Sequence, residues 1–244
     1  MKARKIQERI IYYIIFICLS AFLFTSCKKM FGLELQQNTD HEVTTIDPHI
    51  NKTAWQYLKD RALGVGPNDT IFKRMYDAIV YSGIDTAEYT KSGRTFIFLH
   101  NDAVVRKSGT PATTTTDSYF GKYKVGPAPG VAATKWEDYS QLQVKNYLLS
   151  LIVDGEHTFE NITPDPEFDQ TLMPLAYDTL NPQSLITFRV INDRDSRLRI
   201  NDFPGSAYPT PNLATPGLQA RTAGILSTNG PLHVIDRVLF FAKQ

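Results

Sequence analysis

Apolar residues first fall at helical spacing near Thr53, where Trp55, Leu58 and Ala62 stand at i, i+3 and i+7. That is the stripe of a helix laid on a core, and the glycine- and proline-containing stretch from Gly64 to Asn68 should stop it. Asp69 is placed to cap a second helix, with Phe72, Met75, Tyr76, Ile79 and Val80 along one face and Gly83 as its terminator. The pattern then changes. Phe96 to Leu99 form a short continuous apolar run, as expected of a buried strand. Asn101 or Asp102 can cap a brief helix carrying Ala103, Val104 and Val105.

From Arg106 to about residue 135 the periodicity disappears into Thr, Gly, Pro and Ala, interleaved with Tyr119, Phe120 and Tyr123. A stretch this long without its own period reads as an exposed excursion from the domain. Trp136 and Tyr139 stand at its far end. They open a predicted helix that returns to the core through Tyr139, Leu142, Leu149 and Ile152 and stops at Gly155. A passage rich in Pro and Asp follows. Two strands are then expected, Leu185 to Ile191 and Arg197 to Asp202, joined by a polar turn. The last pattern begins at Leu232, with both alternating faces largely apolar, which predicts a strand buried on both sides.

Composition narrows the chemistry. The chain of 244 residues is 42% hydrophobic with a formal net charge of +1, so nothing in its bulk charge suggests a nucleic-acid partner. Its two cysteines, Cys18 and Cys27, both precede residue 28. The rest of the chain therefore holds no thiol for a disulfide, a thiolate metal site or a cysteine nucleophile. No cofactor motif is present: the sequence lacks a P-loop, a G-x-G-x-x-G, an H-E-x-x-H and a G-x-S-x-G. Asp165, Glu167 and Asp169 alternate as calcium ligands do, but Pro166 interrupts them and Ala176 stands where a bidentate Glu belongs. His41 and His49 lie in a polar stretch with no scaffold for a metal. Paired carboxylates of a glycan hydrolase cannot be read from sequence, because their separation is a property of the fold.

The N-terminus reads as an address. Lys2, Arg4, Lys5 and Arg9 precede an apolar run from Ile10 to Phe24, too short for the roughly 20 residues of a spanning helix. "LFTSC" resembles the lipobox of bacterial lipoproteins, with Phe24 in place of the usual aliphatic residue. The resemblance implies cleavage after residue 26 and lipidation of Cys27. Residues 27–50 then form a tether from an outer membrane to a domain spanning 51–244. Two or more acyl chains suffice for stable anchoring.

"TNGPLHVIDRVLFF" resembles the closing signature of fasciclin-like domains through Asn229, Gly230, Leu232, His233, Val234, Ile235, Asp236, Val238 and Leu239. "RTFIFLHNDAVV" is similar to the family's other conserved segment, with Leu99 and His100 where Ala-Pro is usual. "LLSLIVDG" resembles its helix-to-strand piece. There, Ser150 and Leu151 replace a Tyr-His pair associated with integrin-type adhesion, so that activity is not implied. The resemblance implies an α+β architecture, a β-sheet wedge packed with several helices, and a binding or adhesion role beside glycan-uptake systems. The implied partner is a glycan or a neighbouring envelope protein, such as an outer-membrane transporter or receptor. A structural accessory subunit and a glycan hydrolase are the competing classes.

Two sets of side chains then await the structure. His233 and Asp236 either work as an acid–base pair or close the fold. On an extended strand, residues three apart face opposite sides, which favours the second role. Tyr119, Phe120, Tyr123, Trp136 and Tyr139 are candidates for an exposed binding platform. The competing role is pinning the loop to the domain, and it fits Trp136 and Tyr139 best because they open a helix.

Overall fold

The computed structural model describes residues 47–65, 69–192, 196–202 and 217–240, together with two short strands near the N-terminus. Those strands, β1 (Lys29–Met30) and β2 (Leu33–Glu34), pair antiparallel within a separate N-terminal unit. The expected signal segment and Cys27 lie outside the described residues. Everything below concerns the second unit, which begins at Asp47.

The unit is a mixed α+β domain. Helix α1 (Ala54–Leu63) has the expected limits: the Thr53 side chain accepts from the Gln56 amide, and Gly64 ends it in the left-handed region at φ 71°. Helix α2 (Lys73–Ser82) buries Met75, Ala78 and Ile79. Two expectations fail here. Asp69 is taken by an ion pair with Arg61, and α2 is capped instead from a distance, the Asn101 carboxamide oxygen accepting from the Arg74 amide at 3.0 Å. Val80 is 62% exposed rather than part of the buried face.

Strand β3 (Arg94–Leu99) is buried from Thr95 onward and leads into the single turn α3 (Asn101–Val104). The cap of that turn is His100, whose Nδ1 accepts from the Asp102 amide, rather than Asn101 or Asp102. The excursion then forms a short exposed hairpin, β4 (Lys107–Ser108) with β5 (Thr113–Thr114), and a buried turn, α4 (Tyr119–Lys122). A 3-10 turn at Trp136–Asp138 precedes α5 (Gln141–Leu149), which Ser140 caps.

The predicted long helix is thus three pieces. Ser150 ends α5, and Ile152 belongs to β6 (Ile152–Asp154), where β-branched residues pair with the open edge of β3. Leu142 is exposed, and the buried stripe of α5 runs through Val144, Tyr147 and Leu148.

Strands β7 (Glu167–Gln170), β8 (Leu185–Val190), β9 (Leu198–Ile200) and β10 (Leu218–Gln219) make one antiparallel sheet in the order β10-β9-β8-β7. The other sheet, β11-β12-β3-β6, adds β11 (Thr222–Ser227) and β12 (Gly230–Ile235). β12 runs parallel to β3, and all six of its residues are buried, as a parallel strand covered on both faces requires. It ends earlier than the apolar pattern suggests, because the chain bends at Asp236 and Arg237.

Phe96 and Phe98 of β3 pack toward the helices, Phe98 meeting Phe72 edge-on at 5.3 Å. His233 instead lies near Phe188 of the other sheet, with ring centroids 5.8 Å apart. The sheets are stitched where Thr171, beyond β7, bridges Val153 of β6. The edge of β11 is partly closed by the chain before α1: Leu226 exchanges backbone hydrogen bonds with Pro48 and Ile50.

Candidate functional site

The closing signature is a set of buried polar joints. Asn229 is 5% exposed and uses both ends of its carboxamide. Its oxygen accepts from the Ala54 amide at 2.8 Å, satisfying a free donor at the start of α1. Its nitrogen donates to the Tyr89 and Lys91 carbonyls, each at 3.1 Å. Gly230 sits at φ 143°, and a β-carbon there would overlap the Arg94 carbonyl, so only glycine fits.

His233 is fully buried. The Gly224 amide donates to Nδ1 at 3.2 Å, which leaves the proton on Nε2, and that N–H donates to the His157 carbonyl at 3.0 Å. Burial drives the imidazole pKa down to about 4 against the pull of the His157 hydrogen bond. Both ring nitrogens are occupied by backbone, so neither is available for proton transfer. Asp236 does not orient the ring. Its carboxylate accepts from Arg106 Nη2 at 2.9 Å, and the same nitrogen reaches the Asp236 carbonyl at 2.7 Å. Asp236 therefore ties the end of β12 to the beginning of the excursion.

The aromatic candidates correct the sequence reading. Tyr119, Phe120, Trp136 and Tyr139 are only 1%, 3%, 5% and 6% exposed, and Tyr123 is half-buried. With Tyr147 of α5 they form one cluster, their ring centroids 4.5 to 6.4 Å apart. The physical reason is area: rings of this size bury more apolar surface against one another than a loop can leave in water. Their polar atoms are anchored too. Trp136 Nε1 donates to the Arg74 carbonyl at 2.9 Å, and Tyr139 Oη donates to the Tyr123 carbonyl at 2.6 Å. Tyr81 Oη reaches the Tyr139 carbonyl from α2. Burial raises the phenol pKa of Tyr119, Tyr123, Tyr139 and Tyr147, so all stay protonated. No ring of the four most buried presents a face on which a sugar could stack.

The cluster instead backs two concavities. On one side an open groove of about 620 Å³ runs between α2 and the excursion. Phe120 and Trp136 line it, together with Val80, Tyr81, Lys107 and Lys135. Its volume lies in the range of small-ligand and docking sites. On the other side Tyr119, Tyr123, Tyr147 and Tyr177 line a cleft of about 90 Å³ with Gln143 and Asp178. That is room for roughly three waters. The Tyr147 hydroxyl there is buried without a hydrogen-bond partner; the Leu239 main chain acts on it favourably but falls short of bonding geometry. Val80, Tyr147 and Tyr177 were not legible as site residues. The first looked like core, and the others gain meaning only when distant segments meet.

Among the described residues no group of three His, Cys, Asp or Glu side chains could hold a metal ion. Asp169 lies 3.5 Å from His157, and His49 pairs with Asp47. No described helix is long and apolar enough to cross a membrane.

Comparison of the sequence with known protein families gives no match, and comparison with curated proteins gives none either. Among solved structures the chain is similar to a FAS1 domain pair from the insect cell adhesion molecule fasciclin I, at 12% sequence identity and a TM-score of 0.41. The similarity covers 69% of this chain and 45% of that one, less than half its length.

Proposed function

We propose that this protein is a non-catalytic binding module, lipid-anchored through Cys27 to a bacterial outer membrane, whose partner is a neighbouring envelope protein. The observation that carries this reading is the open groove beside α2, with exposed Val80 on its rim and close-packed aromatic residues in its lining. A rigid concavity with an apolar rim residue and mixed charges suits a protein segment. A glycan partner loses support there because Phe120 and Trp136 are almost wholly buried and leave too little ring surface for a sugar to stack on. The histidine of the closing signature is committed to the fold, which removes the most conspicuous candidate for acid–base work.

The test places a photo-crosslinking amino acid at Val80 in the full chain within a Gram-negative envelope. A discrete protein adduct is expected, absent when the same probe sits at Leu142 and lost with Trp136→Ala. Failure to form any adduct at Val80 would count against the reading.

A second reading retains the glycan, with a single sugar hydroxyl entering the tyrosine cleft, where the unpartnered Tyr147 hydroxyl, Gln143 and Asp178 stand. Glycan-array binding by the full chain, abolished by Tyr177→Ala and by Asp178→Asn, would select it.

A further inference from the structure

We infer that the domain carries an anion site for a phosphorylated molecule, formed by Arg199, Arg221 and Arg237. These residues come from three places: β9, the turn between β10 and β11, and the bend after β12. They line one cavity of about 540 Å³ whose only acidic lining residue, among the described residues, is Asp236. Three positive groups against one negative leave this wall at +2, although the whole chain carries only +1.

Asp236 does not neutralise the three. It is already hydrogen-bonded to Arg106 at 2.9 Å, whereas Arg221 stays 3.6 Å from it and 3.7 Å from Asp102, beyond hydrogen-bond reach. Those carboxylates orient the Arg221 guanidinium without saturating its donors. Arg199 is the more telling case. It stands directly opposite Arg189 across β8 and β9, a like-charge pairing that destabilises a sheet unless each charge finds a counterion. Arg189 has one, since Asp202 accepts from its Nε at 3.0 Å and its Nη2 at 2.6 Å. Arg199 has none among the described residues, and its Nε is buried without a hydrogen-bond partner. Arg199 is half-buried and lines the open cavity, so the outer nitrogens of a guanidinium with no counterion among the described residues are the donors an oxyanion would meet.

The ligand class follows from geometry and charge. Donors converging from three elements suit the terminal oxygens of a phosphate better than a planar carboxylate, which accepts along one edge. A phosphomonoester carries about −1.5 to −2 near neutral pH, matching the local excess. The cavity is too large for a bare ion and falls in the size range of small-molecule sites. The phosphate can belong to a soluble phosphorylated compound or to a lipid headgroup.

The full chain in phosphatidylcholine nanodiscs, titrated calorimetrically with glycerol phosphate, tests the site. Saturable binding tighter than that of inorganic phosphate is expected. Arg199→Gln and Arg237→Gln should each weaken it by roughly tenfold or more, the usual size of one charged hydrogen bond. Lys59→Gln, at an exposed position of α1 outside both cavities, should leave it unchanged. Arg237 is exposed, so its variant carries the test even where Arg199→Gln impairs folding. Nanodiscs containing phosphatidic acid identify the source: competition with glycerol phosphate indicates a headgroup, and unchanged affinity a soluble compound. Absence of saturable binding, or binding that survives Arg237→Gln at full strength, overturns the proposal.

Discussion

The β12 signature and the aromatic cluster of the excursion solve the same problem, joining distant segments, with opposite chemistry. Around β12 the joints are polar and directional. Asn229 serves α1 and the segment before β3, and His233 serves β11 and the segment after β6. In the excursion the joint is area, with rings stacked on rings and a few hydrogen bonds fixing the edges. Directional joints fail abruptly when one partner is lost, because a buried polar group is left unpaired. Apolar joints degrade in proportion to what is removed.

That contrast can be broken at Gly230. Gly230→Ala places a β-carbon on the Arg94 carbonyl at a backbone angle that disfavours any side chain. We expect a loss of about 5 kcal/mol or failure to fold, measured by urea denaturation. A smaller effect is expected from pH. The unfolded imidazole titrates near 6.5 and the folded one at about 4, so the unfolded chain takes up the proton first on acidification. The stability due to neutral His233 is complete above about pH 6.5 and drains away as pH falls toward 4, roughly 3 kcal/mol in all. His233→Gln should flatten the stability curve in that window relative to the parent. The smallest effect belongs to the cluster. Tyr139→Phe keeps the ring and removes only the donor to the Tyr123 carbonyl, for about 1–2 kcal/mol. A larger loss there than at Gly230 would reverse the comparison.

Legibility in the sequence followed the range of the forces. The ends of α1 were readable because Thr53 and Gly64 act within one turn of their targets. The run from Phe96 to Leu99 was readable because burial on both faces leaves no polar position. The cap of α2 was not, since its acceptor lies on Asn101, beyond the next strand. Ile152 looked like one more turn of helix, and only the vacant edge of β3 makes it a strand. β7 and β11 were not assigned from the pattern: one lies in a passage dense with proline and aspartate, and the other carries Gly224 at a break in register. The five aromatic residues were visible as a group, and the pinning role expected of Trp136 and Tyr139 agrees with their burial, but Tyr119 and Phe120 are buried where an exposed platform was expected. Composition says that a segment is loop-like, not that its rings can find each other. The arginine cavity was invisible, because its three cations are neighbours only across strands and bends.

The strap laid by Pro48 to Ile50 along Leu226 also has a mechanical meaning. Tension entering the domain at Asp47 meets the backbone bonds between Leu226 and Pro48 and Ile50, and then the one from Thr228 to Lys52, before it reaches α1. A pull applied at that end would load these few bonds before those of the sheet behind them, so the fastening is placed to act as a mechanical fuse.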